Sequence, residues 1–489
     1  MELRITHKQA FWMLVLILSF SFLTQVVVGM GYINTYDTYW YRNWGLDAAE
    51  NGLFTIYSRV EDINLDYPPL YLILLYITGL CYGSAGKGLH VFLQMFLMKF
   101  WPIFFNVACA ALLYYICRKR FGRPTGLLAA FLWCMNPGFF FNAAMWGQSD
   151  SVMAFLLLVS FYLLDRDRPV AACVAFAVAG LTKFQSLFFT PPFLLVLVLR
   201  NLPDWKRIVK SLAAAAVTVA VVFIPFMVGG RNPMLFFDVY LGSANKYPYC
   251  SLHAYNFYSM LGLNWTTGLK DIEPIAGGFT WNHFSFICAA LSVALVAALY
   301  ILSYRRFGRA RLDGWVGGFL MMQCLFMFMT RMHERYQVIV VPFALMAWLT
   351  TRNRRFLGLF AALSCFTCVN QAVVLLDMVL GAQRNIEPFW SSYSHELVIV
   401  LSFINMLLFV WSVYECVTYF LGSRRKDRTA GGTDVRAFGS PSPDETDGQA
   451  PALEGRPGAE RDAAPALRED PAPAGGRPAE RSHRQWIRI

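Results

Sequence analysis

The chain has 489 residues, of which 57% are hydrophobic and only 15% charged, and its formal net charge is +11. Apolar runs recur from Phe11 to Phe420, which excludes an ordinary soluble domain. The cations stand in short clusters between those runs, so the positive charge reads as the positive-inside pattern of a polytopic membrane protein and not as a nucleic-acid-binding surface.

Residues 1–10 carry Arg4, His7 and Lys8, which places the N-terminus on the cytoplasmic side. Residues 11–30 form a first span without a small-residue cleavage site, and so a retained helix. It delivers residues 31–69 to the outer side. This loop holds Asp37, Asp47, Glu50, Glu61, Asp62 and Asp66 among tyrosines and tryptophans, which favour a membrane–water interface. Asp37, Trp40, Tyr41 and Trp44 recur at i, i+3, i+4 and i+7 and predict a short helix lying on the membrane. Gly52 is placed to end it.

Residues 70–82 are apolar but short, and are expected to be re-entrant or interfacial. A full crossing there would put Arg118, Lys119, Arg120 and Arg123 outside. Residues 91–117 then run inward. Further spans alternate over 124–143, 151–164, 169–182, 187–199, 211–228, 284–304, 315–330, 337–349, 356–380 and 397–421. The expected fold is an all-α polytopic membrane protein with about 12 transmembrane helices, within a range of roughly 10–14. Both termini are cytoplasmic in this scheme, and the main outer loops are 31–69 and 229–283. The membrane domain spans 1–421. Residues 422–489, rich in Pro, Gly, Ala and charge, cannot bury a core and are expected to form a disordered cytoplasmic tail.

Five polar constellations fall at the outer ends of these spans. The first is Asp37 with Asp66-Tyr67-Pro68-Pro69, where a carboxylate beside a membrane suits a general base, a metal ligand, a helix cap or a solvated charge. Trp146-Gly147-Gln148-Ser149-Asp150 combines a ring for stacking and an amide for sugar hydroxyls with a candidate N-cap, Ser149 or Asp150. Lys183, between apolar stretches, either snorkels to an interface or binds a phosphate. The loop 229–283 carries Lys246-Tyr247-Pro248-Tyr249 and His253-Ala254-Tyr255-Asn256, and could cover a ligand; Asn264-Trp265-Thr266 is a formal glycosylation sequon. His333-Glu334-Arg335-Tyr336 is hard to explain as a solvated helix end; its His and Arg suit a phosphate, with Glu334 orienting one of them.

A carboxylate, cations fit for phosphate, and Trp, Gln and Asn fit for sugar, all on one outer face, are what glycosyl transfer from a lipid-phosphate sugar needs. No P-loop and no dinucleotide-binding glycine fingerprint is present. Cys365 and Cys368 form a C-x-x-C inside an apolar run with no second pair, and read as ordinary small residues.

The ordered set Asp37, Asp66-Tyr67-Pro68-Pro69, Trp146-Gly147-Gln148-Ser149-Asp150, Thr182-Lys183, Tyr247-Pro248 with Ala254-Tyr255-Asn256, and His333-Glu334-Arg335-Tyr336 resembles the C-type superfamily of integral-membrane glycosyltransferases. It is similar in particular to the bacterial proteins related to the second mannosyltransferase of GPI-anchor assembly. The resemblance implies an inverting transfer of a hexose, with mannose the expected sugar, from a polyprenyl-phosphate donor to a hydroxyl of a glycan, lipid or protein. It implies Asp37 as general base, with Asp47 as the alternative. Lys183, His333 and Arg335 would hold the leaving phosphate, and Trp146, Gln148 and Asn256 would shape the sugar pocket. Asp66, Asp150 and Glu334 would orient. The other reading kept open is a transporter or flippase of lipid-linked sugars without catalysis, which polar motifs at mid-membrane would favour. No metal site and no cofactor is indicated, although a divalent metal stays compatible with the chemistry. The expected partners are the polyprenyl-phosphate sugar, the acceptor and membrane lipids, with no nucleic acid. The expected setting is a bacterial plasma membrane with the site outside, or an endoplasmic reticulum membrane with a luminal site.

Overall fold

The structure, a computed structural model, describes residues 5–31, 37–85, 90–264, 268–384 and 389–422. The chain divides into two units, Met1–Ser442 and Pro443–Ile489. The second lies outside the described residues, as does nearly all of the tail expected at 422–489. The first is helical apart from a small antiparallel hairpin, Pro274–Ala276 with Phe279–Thr280. This is an all-α polytopic membrane fold.

Seven helices are long and apolar enough to cross a bilayer, among them His7–Gly31, Val91–Phe121 and Trp205–Gly229. An eighth is formed if Arg123–Cys134 and Pro137–Trp146, bent by 51° at their break, make one broken span. Shorter apolar helices follow at Pro69–Gly83, Pro169–Thr182, Gly314–Phe328 and Tyr336–Thr351. Twelve crossings are therefore more than length and apolarity establish. Asp150–Asp165 extends the expected span 151–164 by an aspartate at each end, but at 16 residues it is short for a crossing.

The basic ends of the helices are tied together. Arg200 bonds Asp165 at 2.9 Å and the Leu312 carbonyl at 2.6 Å. Trp315 Nε1 donates to the other Asp165 oxygen at 2.7 Å. Arg306 and Arg311 reach the carbonyls of Leu421 and Tyr419, both at 2.7 Å, and Arg355 holds Glu415 at 3.0 Å. At the other ends of three of these segments, Asp150 opens Asp150–Asp165, Lys183 precedes Phe184–Asn201 and Thr330 follows Gly314–Phe328. The polar motifs and the arginine clusters thus occupy opposite ends of the bundle.

The first-loop helix forms over Asp37–Asn51 and stops at Gly52, whose φ of +98° suits a glycine. Its aromatic face was expected to lie on the membrane. Instead Tyr41 and Trp44 are buried, 2% and 4% exposed, against Tyr57, Tyr71, Leu72 and Phe226. A periodic aromatic stripe marks a face that leaves water, and here protein covers it. The segment expected to be re-entrant is the helix Pro69–Ala85, which packs on this first-loop helix through Gly45 and Gly79. A Cβ on Gly79 would overlap the Gly45 carbonyl. Gly79→Ala is accordingly expected to destabilise the protein by roughly 1–3 kcal/mol. A thermal unfolding midpoint unchanged from wild type in detergent would contradict that packing.

Candidate active site

One cavity of about 820 Å³ gathers most of the polar motifs. Asp37, Asp66, Trp146, Lys183, His333, Glu334 and Arg335 all line it, although they are spread over three hundred positions of the chain.

Its centre is Trp146, only 1% exposed. The residue ends a π-helical turn, Phe141–Trp146, of a kind found frequently at functional sites. The next residue, Gly147, has φ +81°, which lets the amides of Gly147 and Gln148 both return to the Asn142 carbonyl at 3.0 Å. The turn aims the indole at Asp37, and Trp146 Nε1 donates to Asp37 Oδ2 at 2.5 Å. The Arg335 guanidinium stands over the same ring, 5.8 Å from its centroid. A carboxylate at the indole edge and a cation on its face are thus held by one side chain.

The His333-Glu334-Arg335 group sits in the break between the helices Gly314–Phe328 and Tyr336–Ile339. Arg335 Nη1 donates to Glu334 Oε1 at 2.6 Å, and His333 Nδ1 lies 3.6 Å from Glu334 Oε2. Arg335 Nε is buried without a partner among the described residues. A strand-like strap runs alongside: Leu252 N donates to the Met332 carbonyl at 2.9 Å, and Arg331 N to the Tyr249 carbonyl at 3.0 Å. Arg331, at φ +64°, is fixed by Asp271 at 2.7 Å. Tyr247 meets the His333 ring edge-on at 5.6 Å.

Burial drives the Glu334 carboxyl up, but Arg335 and His333 outweigh it and hold it down to about 2. Burial and Arg335 together push the His333 imidazole below its ordinary 6.5, against the opposing pull of Glu334. As pH falls below that ordinary value, the unfolded chain takes up the His333 proton before the folded one does. Stability contributed by neutral His333 is full above pH 6.5 and is lost as pH falls toward the folded value. Glu334 adds a loss only between about 4.5 and about 2. The unfolding midpoint is expected to fall from pH 7 to pH 5, and His333→Gln to flatten that fall. An equal slope in both proteins would remove His333 as its source.

Lys183 does not snorkel. It is 3% exposed, and its Nζ donates to Asp150 Oδ1 at 2.5 Å. Asn142 Nδ2 holds the other Asp150 oxygen at 2.9 Å and also reaches Gln371. Asp150 therefore orients Lys183; it does not serve as a side-chain cap. Asp66 pairs with Lys246 at 3.0 Å, clipping the first loop to the long loop.

Two residues expected to meet the sugar lie outside the cavity lining. Gln148 is fully buried and accepts from Tyr41 Oη at 2.9 Å, and that hydroxyl meets Tyr67 Oη at 2.7 Å. Asn256 caps the short helix Phe257–Met260 and donates to the Phe326 carbonyl at 3.2 Å. Asn256 has its amide engaged by the protein, whereas Gln148 is held through its oxygen and its Nε2 is buried without a partner among the described residues. Asp47 is held by Arg59 at 2.6 Å and is also outside the lining, which removes the geometry an alternative base needs. Asn264, 4% exposed, accepts from the His253 amide at 2.9 Å and so anchors the strap; Trp265 and Thr266 lie outside the described residues.

Among the described residues no cluster of three or more His, Cys, Asp or Glu side chains is arranged to hold a metal ion. Sequence reading named Lys246 and Tyr41 without giving either a partner, and missed Asn142. Asn142 carries no signal of its own, because only the π-turn brings it to Asp150.

The fold and this cavity define a polytopic membrane protein with a carboxylate, an arginine and an indole converging at one end of the bundle. Residues 65–264 match the model of glycosyltransferase family 87, a stretch that contains Asp66, Trp146 and Lys183. That match agrees with the resemblance to membrane glycosyltransferases carried by the motifs. Among solved structures the chain is similar to ArnT from Cupriavidus metallidurans, crystallised bound to undecaprenyl phosphate. The identity is 15% and the TM-score 0.41, over 83% of this chain and 77% of that one. No curated protein matches the chain.

Proposed function

We propose that this protein is an inverting glycosyltransferase. It moves a hexose, mannose being the sugar the motifs favour, from a polyprenyl-phosphate donor to an acceptor hydroxyl on the outer membrane face. The observation that carries this reading is the double engagement of Trp146, with Asp37 at its N–H and Arg335 over its ring. Asp37 removes the acceptor proton as the hydroxyl oxygen attacks the anomeric carbon from the face opposite the phosphate. The bond from that carbon to the phosphate oxygen breaks, and its electron pair leaves with the phosphate. Arg335, fixed by Glu334, stabilises the departing anion together with His333. Lys183 contributes a cation whose position Asp150 sets.

A lipid-linked donor is supported by the cavity's mixed lining. Leu241 and Phe286, 62% and 61% exposed, line the same cavity as Asp37, Lys183 and Arg335. Such a lining suits a molecule with one apolar and one charged end. The outer face is supported by the arginine clusters at the other end of the bundle. Incubating purified protein with several polyprenyl-phosphate sugars and glycolipid acceptors, followed by mass spectrometry, tests the reading. Product should appear only with lipid-phosphate donors; turnover of a nucleotide sugar alone would contradict it.

A further inference from the structure

Lys99 is a buried amine that this chemistry does not use. It lies within the apolar helix Val91–Phe121, is 0% exposed and does not line the cavity. An ammonium in such a place is costly unless backbone or charge compensates it. Its Nζ donates to the Gly29 carbonyl at 3.0 Å and to the Met145 carbonyl at 2.8 Å. The first belongs to the last turn of the helix His7–Gly31 and the second to the end of the π-turn. Carbonyls at helix C-termini lack intrahelical donors and favour a cation.

Lys99 therefore fastens two helix ends at one point, and one of them is the turn that carries Trp146 to Asp37. Met145 immediately precedes Trp146, and Gly147 immediately follows it. A Cβ on Gly147 would stand 3.0 Å from Lys99 Cγ on one side and 3.6 Å from Thr38 Cγ2 on the other. Thr38 is the residue after Asp37. Gly29 closes the arrangement from below, since a Cβ there would lie 2.8 Å from the Ala144 carbonyl. Lys99 thus contacts both neighbours of the indole, and only a glycine separates it from the neighbour of the carboxylate.

We propose that Lys99 is a positioning residue that sets the Trp146–Asp37 contact and with it the placement of the base. The inference rests on the reading of Asp37 as base. A displacement of about 1 Å in a reacting group lowers rates by about 10²-fold without requiring a loss of binding. Lys99→Met keeps length and apolar volume and removes the ammonium. It is expected to lower kcat by about 10- to 100-fold while the donor KM stays within about twofold. A wild-type kcat overturns the proposal. So does a donor KM that rises in step with the loss of kcat, which is the signature of general loosening.

Where Lys99→Met fails to accumulate in the membrane, Lys99→Arg carries the test. It keeps a charged donor but alters its reach, so the same split is expected at smaller size, and a wild-type rate there overturns the proposal. Asp37→Asn is measured in parallel. Full activity in Asp37→Asn removes the base itself, whereas an inactive Asp37→Asn beside a fully active Lys99→Met removes only the role of Lys99.

Discussion

Asp37→Asn is expected to lower kcat for sugar transfer by about 10²- to 10⁴-fold while leaving the protein folded in the membrane. The amide keeps an oxygen that can accept from Trp146 Nε1, so the contact that now measures 2.5 Å survives the change. What is lost is the capacity to take the acceptor proton. Asp47, the other carboxylate considered for that task, cannot substitute from its place beside Arg59. A wild-type rate in Asp37→Asn would remove Asp37 as base.

Arg335→Ala should produce the second largest loss, about 10²- to 10³-fold in kcat/KM for the donor. Its interpretation needs a control, because the same change leaves Glu334, 3% exposed, without its 2.6 Å partner. Breaking a buried ion pair from one side destabilises by about 3–5 kcal/mol. The double variant Arg335→Ala with Glu334→Gln removes both charges. It is expected to regain most of the lost stability and none of the donor use. Recovery of activity together with stability would show that Arg335 serves the fold and not the phosphate. An unchanged donor KM and rate in the single variant would sink the phosphate assignment outright.

Much of this architecture was legible in the sequence because charge and apolar length obey bulk physics. Lys and Arg clusters set which helix ends belong together, and the contacts of Arg200, Arg306, Arg311 and Arg355 tie those ends as the charge pattern implies. Seven cavity-lining residues could be selected because polar groups at the ends of apolar runs need a reason to be there. Depth was harder to read. Gln148 and Asn256 have the right chemistry for a sugar, but only packing decides that they face the protein. The Tyr41–Trp44 face was correctly identified as apolar, and periodicity could not tell lipid from protein as its cover. The π-turn left no pattern at all. It shifts the helix phase by one residue, and that shift turns Trp146 toward Asp37 and Asn142 toward Asp150. Lys99 was passed over inside the apolar run 91–117, and only its contacts single it out.

On the proposed function, the Asp37, Trp146 and Arg335 arrangement performs inverting transfer from a lipid phosphate. The most direct measurement follows polyprenyl phosphate release and the anomeric configuration of the glycosylated product, by NMR, from a donor of known configuration and the purified protein in nanodiscs. Stoichiometric release with inverted configuration is expected in the wild type, and neither in Asp37→Asn. Retained configuration, or movement of the intact lipid-linked sugar across the nanodisc-matched vesicle membrane without release of polyprenyl phosphate, would contradict it.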